Sequence, residues 1–255
     1  MYLGKRNSKK MTRNEYETHL GKYSGAIEQI RHSAHKLHRD VNQSYGNGLP
    51  YGYHLDMVAT NVHDFGHLVC TTEEDVLPLY FGAYYHDSIE DARLTYNDVM
   101  HQARMMLTEE QALMATEIVY ALTNDKGRTR AERAGEKYYE GIRKTPYAPF
   151  VKLCDRLANI TYSCSGVDGE NDRMRQIYLD EVPHFLPAIN PHSDDPRLAV
   201  PREVVIRMAE CLIDDMERRE KIWKYGCNEM DWRHHRMDGR RPVGCTGGLF
   251  TGVTF

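Results

Sequence analysis

VLPLYFGAYYHDSIE, residues 76–90, is the most apolar run in the chain, and it ends in four titratable side chains. TTEED, just before it at 71–75, reads as a helix start. Threonine sits at the cap, and acids lie where the positive end of the helix dipole favours them. A helix as apolar as the one that follows belongs inside a protein. Polar groups at its end are costly there unless they bind something. On an ideal helix His86 and Glu90 share a face, as do Asp87 and Asp91. The run therefore predicts a buried helix that delivers titratable groups to one place.

Outward from that segment the helical period recurs, and strand signals are scarce. Residues 13–42 predict one or two amphipathic helices, with Tyr16, Leu20, Tyr23, Ile27, Ile30, Ala34, Leu37 and Val41 at three- and four-residue steps. QSYGNGLPYG (43–52) breaks the pattern, which resumes from His54 to about Val69. LTYNDV (94–99) predicts a cap and a new helix, and TEEQALMATEIVYALT (108–123) another, with a capping box at Thr108 and Gln111. NDKGRTRAERAGEKYYEGIRK (124–144) is charged and largely helical in pattern, and APFVKLCDRLANITYSC (148–164) predicts a buried helix. RMRQIYLDEVPHFLPAI (173–189) is expected to be broken by Pro183 and Pro187. Residues 190–201 then predict a loop and 202–225 a last helix, while 226–255 is rich in Gly, Arg and His without periodicity. The expectation is an all-α helical bundle, a single domain over residues 1–225 with an irregular C-terminal extension over 226–255.

With 255 residues the chain can bury a core without disulfide support. Its net charge of −4 gives no general attraction to nucleic acid or an anionic membrane surface, although a local pocket of Lys and Arg suffices to grip a polyphosphate. The six cysteines form no C-x-x-C pair and match no zinc-ribbon spacing. The basic start, MYLGKRNSKKMTRNEYE, has no apolar stretch behind it, so no secretory signal is expected. No stretch approaches the roughly 18 apolar residues of a membrane span. These features predict a reduced, cytoplasmic setting, with neither membrane nor nucleic acid as partner.

Asp155 interrupts the apolar run FVKLC, with Asn159 one turn later, and His54 opens a helix after the glycine-rich stretch. His54, His86, Asp87 and Asp155 make a hard-to-borderline ligand set, suited to manganese, iron, zinc or magnesium. Four protein ligands on an octahedral ion leave two positions for water and a phosphate oxygen, so one divalent cation and a phosphohydrolase chemistry are expected. Glu90 and Asp91 lie too far along the helix to be primary ligands and are placed to orient water or move a proton. A His-Asp dipeptide alone carries no weight, because a second one stands at His63-Asp64. What distinguishes the 86–87 pair is its buried context and its match with a buried Asp155.

LPYGYHLDMVA (49–59), YYHDSIEDARLTYNDV (84–99) and VKLCDRLANI (151–160) resemble, in order and spacing, three blocks of the hydrolase domain of RelA/SpoT-type alarmone hydrolases, an all-helical family of the HD superfamily. The resemblance spans about residues 20–180. It implies metal ligation by His54, His86, Asp87 and Asp155, catalysis by Glu90 and Asp91, and nucleotide contact by Asn159. It also places Arg39 and Tyr178 near the nucleotide, though the stretch after Arg39 is longer here than in the family. The implied reaction is the Mn2+-dependent removal of the 3′-pyrophosphate from guanosine tetra- or pentaphosphate, by a small stand-alone hydrolase with no synthetase domain. Leu55 stands where the family usually has proline, and Ala92 where it has threonine; neither is an expected ligand.

Lys126, Arg128, Arg130, Arg133 and Lys137 cluster between the HD segment and the Asp155 helix. Interleaved glutamates make a solvated face one reading of them, and phosphate capture, led by Arg130 and Arg133, the other. Lys152 shares a helical face with Asp155 and is expected to reach the site. His32, His35 and His38, and His63 with His67, fall at helical steps that fit a polar face better than a second metal. Two alternatives stand beside the alarmone reading. One is another HD-type nucleotidase, acting on a deoxynucleotide 5′-monophosphate or the 2′-phosphate of NADPH; the other is a non-catalytic nucleotide sensor.

Overall fold

Local capping sets where several helices begin. The computed structural model, which describes residues 9–124, 135–164 and 171–212, opens with α1 (Arg13–Asp40), whose Thr12 cap closes a reciprocal box with Glu15. One unbroken helix fills this segment. Asn42, at φ 55, turns the chain into a small antiparallel ribbon, β1 (Ser44–Tyr45) and β2 (Leu49–Pro50), with Ser44 opposite Pro50. The glycine-rich stretch thus does more than interrupt a helix. Gly46, at φ +53, lets the ribbon press against Tyr162, where a Cβ would meet the phenol oxygen at 2.1 Å.

After the ribbon come α2 (Gly52–Phe65) and a 3-10 turn over Gly66–Leu68. Thr72 and Asp75 form a capping box around a further 3-10 turn that leads into α3 (Val76–Tyr85), all of whose residues are buried. α3 ends at Tyr85 rather than running on to residue 90, which corrects the ideal-helix expectation. Asp87, Glu90 and Asp91 would crowd the C-terminal end, where the dipole is negative and carboxylates are disfavoured. The backbone instead makes turns, with Ser88 N donating to the Tyr85 carbonyl at 2.9 Å and Asp91 N to the Asp87 carbonyl at 2.8 Å. Arg93 in the left-handed region, at φ 61, redirects the chain.

Capping boxes at Thr95–Asp98 and Thr108–Gln111 start α4 (Tyr96–Arg104) and α5 (Glu109–Leu122). Then follow α6 (Glu136–Lys144), α7 (Ala148–Cys164), α8 (Asn171–Ile189) and α9 (Arg202–Leu212). The expected break at Pro183 and Pro187 does not occur, because α8 runs through both prolines. An interior proline costs about 3 kcal/mol or more. Against that, α8 buries Tyr178, Leu179, Val182, Phe185, Leu186 and Ile189, and each such side chain contributes roughly 1.5–3 kcal/mol. Arg143 also donates to the Ala188 carbonyl at 2.6 Å, satisfying a group near the helix end. Arg130 and Arg133, the distal half of the last expected helix and the extension from 226 onward lie outside the described residues.

The architecture is an all-α bundle with α7 at its centre, packed against α2, α3, α5, α6, α8 and α9. α3 is wedged among α1, α2, α5 and α7. Among the described residues no helix is long and apolar enough to cross a membrane.

Candidate metal centre

Three elements converge on one buried point. α2 brings His54 in its first turn, the turns after α3 bring His86 and Asp87, and α7 brings Asp155 from its middle. Asn61 donates to the Cys154 carbonyl at 2.9 Å, which pins α2 to α7 next to Asp155. His54 Nε2 lies 3.2 Å from His86 Nε2, 3.4 Å from Asp155 Oδ1 and 3.5 Å from Asp87 Oδ2. His86 Nε2 lies 2.8 Å from Asp87 Oδ2 and 3.7 Å from Asp155 Oδ1.

These spacings suit a shared cation. Ligand atoms about 2.1 Å from one ion and at right angles stand roughly 3 Å apart. His86 Nδ1 faces the Ala83 carbonyl at 2.9 Å. A carbonyl can only accept, so Nδ1 carries a proton, and Nε2 is the nitrogen that would face a cation. His54 Nδ1 is buried with no hydrogen-bond partner, while its Nε2 faces both carboxylates. His54, His86 and Asp87 offer ligand atoms within 4.8 Å of one another and could hold one metal ion. Asp155 adds a second carboxylate oxygen facing the two imidazoles.

The electrostatics follow from the same crowding. Burial opposes charge on His54, but hydrogen bonds to Asp155 and Asp87 outweigh it and raise the imidazole to about 9. His86 is raised too, with burial again overcome, here by Asp87. Burial also works against the carboxylates, yet His86 and His54 hold Asp87 well below the usual range, and Lys152 with His54 does the same for Asp155. Glu90 and Asp91 behave in the opposite way. Desolvation by the surrounding protein and the negative Asp87 raise both, despite the hydrogen bonds that Glu90 accepts from Asn124. These two carboxyls take up a proton more readily than freely solvated acids do.

The other expected site residues are more dispersed. Lys152 Nζ donates to Asp155 Oδ2 at 2.9 Å, so it reaches the centre through that carboxylate. Asn159 donates to Asp155 Oδ1 at 2.7 Å and to the Asp155 carbonyl at 3.1 Å, and accepts from the Tyr45 hydroxyl at 2.9 Å. Tyr178 is buried on α8 with the Arg156 guanidinium 5.0 Å from its ring centre. Arg39 is exposed near the end of α1. Glu90 is held by the backbone N and the side-chain amide of Asn124, and not by the face shared with His86 that an ideal helix implies.

Sequence reasoning missed the aromatic surround. Tyr45, carried by the ribbon, stacks on His54 at 4.8 Å between ring centres and 21°. Tyr51 donates to Asp87 Oδ2 and stacks on His38 at 4.4 Å and 12°. Burial, with Asp87 and Asp91 nearby, pushes the Tyr51 phenol far above its ordinary value. The available signal was the run of tyrosines at 45, 51 and 53 directly ahead of His54. Comparison of the chain with models of protein families and with curated proteins returns no match.

Proposed function

We propose that this chain is a divalent-cation-dependent phosphohydrolase and, more specifically, a 3′-pyrophosphohydrolase of guanosine tetra- or pentaphosphate. The observation that carries the first statement is the meeting of His54, His86, Asp87 and Asp155 around one point, with two proton-accepting carboxyls alongside. Three sequence blocks that resemble the alarmone hydrolases support the narrower statement.

In this reading the two imidazoles and two carboxylates hold the cation, which is Mn2+ in the family the chain resembles. A bound cation supplies charge neutralisation at phosphoryl oxygens and a lowered pKa for water. Lys152 keeps Asp155 ionised and turned toward the imidazoles. Asn124 fixes Glu90, and Glu90 and Asp91 orient the attacking water and take its proton. Asn159 holds the edge of Asp155 and offers a polar group beside the substrate.

The test is to load the protein with Mn2+ and incubate it with a nucleotide panel, identifying products by chromatography. Intact pyrophosphate with GDP or GTP is the expected result. Inorganic phosphate from a deoxynucleotide monophosphate or NADPH would replace the alarmone with the related nucleotidase reading. Nucleotide binding without turnover by the Mn2+-loaded protein would overturn hydrolysis and leave a nucleotide sensor.

A further inference from the structure

Tyr51 stands immediately before α2 and is buried, with 8% of its surface exposed. Its hydroxyl donates to Asp87 Oδ2, the same oxygen that lies 2.8 Å from His86 Nε2 and 3.5 Å from His54 Nε2. The hydroxyl therefore touches the carboxylate on the metal side of the centre.

The ring that carries the hydroxyl is clamped on several sides. His38 of α1 lies parallel to it at 4.4 Å, Tyr45 meets it edge-on at 6.2 Å, and His54 crosses it at 5.6 Å. His38 is 1% exposed, and neither of its ring nitrogens has a hydrogen-bond partner. Its contribution comes from the face of the ring, which presses Tyr51 into a single orientation. Burying an imidazole with both nitrogens unsatisfied is costly. That cost marks a place where the position of the neighbouring ring matters to the molecule.

We propose that Tyr51 is a positioning residue, whose phenol, held by the stacked His38 ring, fixes the rotamer of Asp87. This inference rests on the reading of the centre as a metal site. Carboxylate ligands depend on such outer hydrogen bonds for their aim, and losing one typically weakens metal binding 10- to 100-fold. A phenol is suited to the task, since it donates one directional bond and adds no charge to an already crowded acidic corner.

Tyr51→Phe tests this, because it deletes the hydroxyl and keeps the stack on His38. Mn2+ affinity is measured by titration calorimetry, and the visible d–d absorption of the Co2+ form reports the ligand geometry. The expected result is Mn2+ binding weakened about 10- to 100-fold and a changed Co2+ spectrum, with the melting temperature of chelator-treated protein as in the wild type. Equal Mn2+ affinity and identical Co2+ spectra in the two proteins would overturn the role of Tyr51 and leave the metal site standing. A lower melting temperature of the chelator-treated variant, with no spectral change, would make the hydroxyl structural and also overturn it. A wild-type protein that binds neither ion would bring down the metal site and this inference together.

Discussion

Asp87 and Glu90 stand three residues apart in HDSIED and answer to different partners. Asp87 faces the imidazoles, while Glu90 is drawn away to the backbone and side chain of Asn124. Asp87→Ala is therefore expected to abolish both Mn2+ binding and turnover. Glu90→Ala should keep the metal and lose roughly 100-fold or more in turnover, the scale of a positioned proton acceptor. Titration calorimetry beside a turnover assay separates the two, and loss of Mn2+ binding in Glu90→Ala would contradict the division of roles. His86, Asp87 and Asp155 were legible because each interrupts or adjoins a strongly apolar segment, where a charged group needs a reason, and His54 because it opens a helix after the glycine-rich stretch. Tyr51, His38 and Asn124 were not, since what singles them out is a partner far away in the chain. The tyrosines at 45, 51 and 53 hint at an aromatic surround, but a phenol facing Asp87 across 36 residues gives no local sign of its partner.

Among the elements, α3 and α5 approach closely because Gly82 carries no side chain. A Cβ there would meet Ile118 Cγ2 at 2.6 Å and Cβ at 3.3 Å, in a helix with no exposed residue to give way. Gly82→Ala should destabilise the protein by about 1–3 kcal/mol, as overpacking of a closed core does, even though alanine is the better helix former. Ile118→Ala in the same chain vacates the contested space, so denaturant melts of the double variant should show a cost smaller than the sum of the singles. Strict additivity would mean that the helices simply move apart. Helix starts were readable because Thr-x-x-Glu, Thr-x-x-Asp and Thr-x-x-Gln boxes act within one turn. The end of α3 and the passage of α8 through two prolines were misjudged. In the first, three carboxylates outweigh helical continuity; in the second, burial against neighbouring helices outweighs the proline penalty.

For the molecule as a whole, the proposed cation site ties metal binding and stability to pH. The folded-state pKa of His54 is raised from an ordinary 6.5 to about 9. Its contribution to the stability of the metal-free protein is thus fully present below about 6.5 and is lost as the pH climbs through about 9. The same proton competes with the cation, because an imidazole must be neutral to ligate. Melting temperatures with and without excess Mn2+, in oxygen-free buffer, should accordingly diverge as the pH rises from about 6 toward about 9. A gap independent of pH would show that His54 does not bind the ion.

Lys152, half-buried and paired with Asp155, has a consequence for the charge balance of the centre. Asp87 and Asp155 bring two carboxylates, and the Lys152 ammonium together with the raised His54 and His86 imidazoles stands against them. The ammonium and the imidazoles thus keep Asp87 and Asp155 from standing in the interior as two uncompensated anions.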